Sequence, residues 1–85
     1  MDNKRTEFDL EREIKELFGD MLQVAAEEVD DQTSPSAVPT WDSLRHLILV
    51  SGFEEEFDID VAPEEAVEMY KDFETFKKII KQKLA

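Results

Sequence analysis

What most constrains this chain is the spacing of its apolar residues. They recur at intervals of three and four with charge between them, and nowhere alternate at period two for long enough to build a sheet. Leu10, Ile14, Leu17, Phe18, Met21 and Leu22 form one stripe, with Glu11, Arg12, Glu13, Lys15 and Glu16 between them, and predict a helix over 8–22. Leu44, Leu47, Ile48, Val50, Phe53 and Phe57 predict a second over 43–57, with Asp42 and Ser43 where capping residues belong. Pro63, Glu64 and Glu65 open a short third helix over 63–69, because proline suits the first helical position and carboxylates suit the positive end of the dipole. Asp72 caps a fourth helix over 73–83, where Phe73, Phe76, Ile79, Ile80 and Leu84 make the stripe and Lys77, Lys78, Lys81 and Lys83 lie toward the negative end. The expected fold is all-α, a four-helix bundle in which the 85 residues form one domain, with Met21, Met69 and the Phe residues in the core.

Between the first two stripes, over 24–42, helical periodicity lapses. Asp30, Asp31, Thr33, Ser34, Pro35, Ser36, Pro39 and Thr40 make this stretch polar and break it with two prolines. A loop so long inside a compact domain is uncommon and often functional, and Val29 and Val38 are the residues expected to tie it to the core. Gly52 inside the second helix implies either a close neighbour or a tolerated loss of helix propensity.

Charge narrows the partners. Twenty-two acidic residues against 10 basic ones leave a formal net charge of −12, which repels nucleic acid and anionic lipid and favours basic protein surfaces. The longest strictly apolar run is 47–50, and the N-terminus is charged where an export signal needs a hydrophobic segment, so a cytoplasmic chain is expected, and separately a monomer. With no Cys, the chain has no disulfide, no thiolate-ligated zinc and no sulfur nucleophile of its own.

Enzyme readings lack parts. The one histidine, His46, lies three residues after Ser43 on the same predicted helix, and no third group completes a hydrolytic triad. A lone helical histidine reads as a surface or half-buried residue. The acidic groups at Asp30-Asp31 and Asp58-Ile59-Asp60 lack the ligand spacing and central glycine of a calcium loop, so no dedicated metal site is expected. Two glycines, Gly19 and Gly52, make no phosphate loop.

The segment Thr40-Trp41-Asp42-Ser43-Leu44 sets a serine where the long loop turns into an amphipathic helix. It resembles the attachment site of acyl carrier proteins and other phosphopantetheine carriers. Ile14 to Leu22 is similar to the family's first helix, Glu27-Glu28-Val29 to the short segment after it, Phe53-Glu54-Glu55-Glu56-Phe57-Asp58-Ile59 to the end of its second helix, and Pro63-Glu64-Glu65-Ala66 to its short third helix. The likeness covers nearly the whole chain, and its specificity lies in the combination rather than in Asp-Ser-Leu alone. It implies a carrier without catalytic activity. Ser43 is then the hydroxyl that accepts 4'-phosphopantetheine, flanked by Asp42 and Leu44, and a phosphopantetheinyl transferase and acyl- or aminoacyl-loading enzymes are the partners. A phosphodiester there is physically reasonable, since a helix N-terminus offers unpaired N–H groups and a positive dipole end.

The sequence also departs from the fatty-acid carriers, whose second helix commonly presents carboxylates. Arg45, His46 and Ile48 make its first half neutral to basic, and Glu54, Glu55 and Glu56 keep the acidic face. Trp41 is bulkier than the small residues common two places before the serine. Partner contact is therefore expected at Trp41, Arg45, Leu47, Ile48, Glu54 and Glu55, and a specialised polyketide, nonribosomal peptide or modified-lipid pathway over a housekeeping fatty-acid one. The alternative from another class is an unmodified acidic helical adaptor, which accounts for the charge but not for Ser43 at that junction.

Overall fold

The computed structural model describes residues 7–85, and among them the chain is a small all-helical bundle without strands. The charged N-terminal residues 1–6, on which the expectation of no export signal rests, lie outside the described ones. Helix α1 is Glu7–Leu22, α2 Ser43–Phe57, α3 Pro63–Met69 and α4 Phe73–Leu84. The stripes thus became helices with bounds within a residue of those expected.

The core is aromatic. Ile14, Phe18 and Leu22 from α1, Leu49 and Phe53 from α2, Met69 from α3, and Phe73, Phe76 and Ile80 from α4 are fully buried. Phe18 is its hub, with ring centroids 5.0 Å from Trp41, 4.8 Å from Phe73 and 5.3 Å from Phe76, all edge to face. Met21 and Phe57, expected inside, are only partly buried against it.

Each helix stops or starts for a local reason. Asp72 accepts from the Thr75 N–H at 2.8 Å and caps α4. Glu65 reaches back to accept from the Ala62 N–H at 2.9 Å and steadies the start of α3. Gln23, just after α1, and Asp58, at the C-cap of α2, both adopt left-handed backbone, the usual way to end a helix, although neither is glycine.

The long loop is folded rather than loose. It contains a 3-10 turn at Ala26–Glu28, and it buries Val29 and packs Val38 against the core as expected. It also buries Thr33, whose carbonyl accepts from the Phe73 N–H at 2.7 Å and so supplies a partner to the N-terminus of α4. Lys77 of α4 pairs with Asp31 of the loop at 2.7 Å and with Glu11 of α1 at 3.6 Å, and Lys83 pairs with Glu65 of α3 at 2.6 Å. The α4 lysines therefore join three other elements as well as complementing their own helix dipole.

Gly19 and Gly52 answer the question of close neighbours differently. A Cβ on Gly19 would stand 2.7 Å from the carbonyl oxygen of Val24, so the chain leaving α1 folds back against that glycine. At Gly52 the neighbours are the Met21 sulfur and methyl, the movable end of a side chain.

Candidate functional site

The start of α2 is built around Asp42, whose side chain accepts from the Arg45 N–H at 2.7 Å while its carbonyl accepts from the His46 N–H at 2.8 Å. Asp42 is thus the N-cap, and Ser43 is the first helical residue. That division of labour matters, because a serine serving as the cap would have its hydroxyl occupied. Ser43 is exposed, and among the described residues no partner engages its hydroxyl.

From Ser43 an apolar strip runs down the outer face of α2. Leu44 is 70% exposed, Leu47 62% and Ile48 52%, at the spacing that puts residues on one face. Val67 of α3 is exposed as well. Asp42 and Glu55 are exposed, so Ser43, Leu44, Leu47, Ile48 and Glu55 are all reachable by another molecule.

Two side chains on either side of Ser43 hold this junction to the end of α1. The Thr40 hydroxyl donates to the Leu22 carbonyl at 2.7 Å, and the Arg45 guanidinium donates to the Met21 carbonyl at 3.4 Å. Both carbonyls belong to the last turn of α1, where intrahelical donors run out and positive charge is favoured. Arg45, expected to face partners, is half-buried and partly committed to this internal contact.

Trp41 corrects the sequence expectation outright. Expected among the partner-facing residues, it is 1% exposed, and its ring lies in the core between Phe18, Phe76 and Tyr70. Large aromatic area is most favourable inside, provided the indole N–H finds an acceptor. Its acceptor is Nδ1 of His46, at 3.0 Å. Glu54 is also corrected in part: it is half-buried, and its carboxylate accepts from the Val61 N–H at 2.8 Å, bracing the link between α2 and α3.

His46 is the other correction. Expected at the surface or half-buried, it is 4% exposed, and it turns inward, away from any catalytic pairing with exposed Ser43. Its Nε2 lies 2.7 Å from the Ala66 carbonyl of α3. Burial pushes the imidazole pKa below its usual value, and the Ala66 carbonyl partly opposes that. Sequence periodicity alone could have flagged it, since position 46 falls on the same face of α2 as Leu49, Val50 and Phe53.

Among the described residues no cluster of three or more histidine or acidic side chains converges as a metal site, and no helix is long and apolar enough to cross a membrane. The chain matches no protein-family model and no curated protein.

Proposed function

We propose that this chain is an acyl carrier, modified on Ser43 by 4'-phosphopantetheine, which carries acyl or aminoacyl groups as thioesters to partner enzymes and catalyses nothing itself. The observation that carries the reading is the division of roles at the start of α2: Asp42 caps the helix, and the Ser43 hydroxyl is left exposed and unengaged. The residues present fit the group. A phosphodiester on Ser43 would sit at the positive end of α2, near N–H groups that have no helical partner. The arm would supply the thiol that the chain, with no Cys, lacks.

The apolar strip of Leu44, Leu47 and Ile48 beside Ser43 is the surface on which a phosphopantetheinyl transferase and loading enzymes would meet the carrier. Its apolar character, against the acidic Glu55 and Glu56 further along, favours dedicated partners of a specialised pathway over a housekeeping fatty-acid set. Charging assays against both enzyme sets test that preference, and efficient loading and elongation by the housekeeping set would overturn it.

Intact mass decides the class. After incubation with coenzyme A, magnesium and a broad-specificity phosphopantetheinyl transferase, the wild type should gain one phosphopantetheine and Ser43→Ala should gain none. No gain with several transferases would favour the unmodified acidic adaptor, which binds basic protein surfaces through the same charge.

A further inference from the structure

We propose that His46 is a proton-operated latch: its neutral imidazole ties the Trp41 segment and α3 together, and protonation releases them. The chemistry of its two partners fixes the resting state. An indole N–H can only donate, so Nδ1 must present a lone pair to Trp41, 3.0 Å away. A carbonyl oxygen can only accept, so Nε2 must carry the hydrogen donated to Ala66 at 2.7 Å. Both ring nitrogens are thereby used in opposite senses, and one neutral tautomer satisfies both.

A proton taken from solvent lands on Nδ1. It turns the acceptor into a donor facing another donor, and the Trp41 bond is lost. The resulting cation lies in a site 4% exposed, against the rings of Trp41, Tyr70 and Phe76. To hydrate its new N–H the imidazolium has to leave that site, and leaving gives up Ala66 as well.

The surroundings offer no counter-charge. From α3 and its C-cap the titratable groups are Tyr70, whose ring centroid lies 4.9 Å away, Glu65, whose carboxylate is held by Lys83 and the Ala62 N–H, and Glu64 and Glu68, which are exposed. On α2 itself, the Asp42 carboxylate is taken by the Arg45 N–H, and the Arg45 guanidinium reaches to Met21. Helix α4 contributes Phe76, and the loop contributes Trp41. No carboxylate stands within ion-pair distance of the imidazole among the described residues.

What the latch holds includes the shortest α-helix of the bundle. Helix α3 has seven residues, too few to persist without tertiary contacts, and its C-cap Tyr70 also meets the Trp41 segment, donating its hydroxyl to the Trp41 carbonyl at 3.4 Å. Trp41 lies two residues before Ser43, so release at Trp41 loosens the approach to α2. The inference concerns the unmodified chain and stands whether or not Ser43 is ever loaded.

NMR on the wild-type protein tests it. Nitrogen shifts of His46 at pH 7.5 should show the neutral form protonated on Nε2, with a titration midpoint below 6.5. Exchange of the Trp41 indole hydrogen and of the α3 amides, corrected for intrinsic rates, should lose about tenfold in protection between pH 7.5 and 5.5, the loss expected if only the open state takes up the proton. His46→Asn and His46→Gln cannot titrate and each keeps one of the two bonding positions, so their profiles over that window should be flat. A flat wild-type profile, the Nδ1-protonated tautomer, or a midpoint at or above 6.5 would overturn the latch. Should either variant fail to fold, the wild-type tautomer and midpoint decide alone.

Discussion

The Thr40 hydroxyl donates to the Leu22 carbonyl at 2.7 Å, so the residue three before Ser43 serves as a cap for the end of a helix 18 positions earlier. This bond and the Arg45 contact with Met21 set the angle at which the chain enters α2. Thr40→Val keeps the shape and removes the donor, leaving a part-buried carbonyl without its partner. The expected loss is about 1 kcal/mol in urea unfolding. An unchanged midpoint would mean that water replaces the hydroxyl at no cost.

Gly19→Ala and Gly52→Ala should move stability in opposite directions. Alanine is the better helix former by about 1 kcal/mol at both. At position 19 the new methyl would press on the Val24 backbone carbonyl, which cannot yield without shifting the loop, and the expected net loss is about 1–2 kcal/mol. At position 52 the obstacle is the flexible end of Met21, so propensity should win and the protein should become equally or more stable. Paired chemical denaturation reads the contrast.

Gln23 has a φ of 62°, a left-handed conformation in which a side chain is strained and glycine is not. Gln23→Gly should therefore raise the thermal midpoint, by the equivalent of about 1 kcal/mol. Asp58→Gly should raise it less, since aspartate tolerates that region better. A fall in both midpoints would show that unfolded-chain entropy outweighs the strain.

Acid should unfold the protein through named carboxylates. Asp72 is held below its ordinary pKa chiefly by the Thr75 N–H, and Glu11 chiefly by its hydrogen bond to Lys81. Because the folded-state values are the lower ones, the stability these groups contribute is present above the ordinary carboxylate range and is lost as pH falls through the folded-state values. Denaturant midpoints should hold near neutrality and drop below about pH 4. Asp72→Asn should be less stable than wild type at pH 7 and should narrow the gap as pH falls. A gap that stays constant with pH would locate its effect elsewhere.

With a net charge of −12, repulsion across the surface opposes compactness, and screening should relieve it. Raising sodium chloride from low to physiological strength should raise the thermal midpoint, with Lys77 limiting the gain because its pairs with Asp31 and Glu11 weaken in salt. A midpoint that falls with salt would show that these pairs outweigh the repulsion.

The sequence by itself determined the helices and most of the core, because amphipathic spacing and capping residues are local: Asp42 and Asp72 cap where they were expected to, and Phe18, Phe53, Phe73 and Phe76 went inside. It also located the serine at the start of α2, whereas the stripe that joined Leu44, Leu47 and Ile48 to Val50 and Phe53 was split by the fold, which leaves the first three exposed. Only the tertiary structure decided which side chains near that serine face outward. Trp41 was buried because Phe18 and Phe76, distant in sequence, surround it, and His46 was buried because Trp41 and Ala66 offer a donor and an acceptor for its two nitrogens. Thr40, Thr33 and Arg45 likewise found their partners across the fold. Periodicity reports which face of a helix is apolar, whereas the pairing of polar groups between elements depends on distances that exist only once the helices have packed.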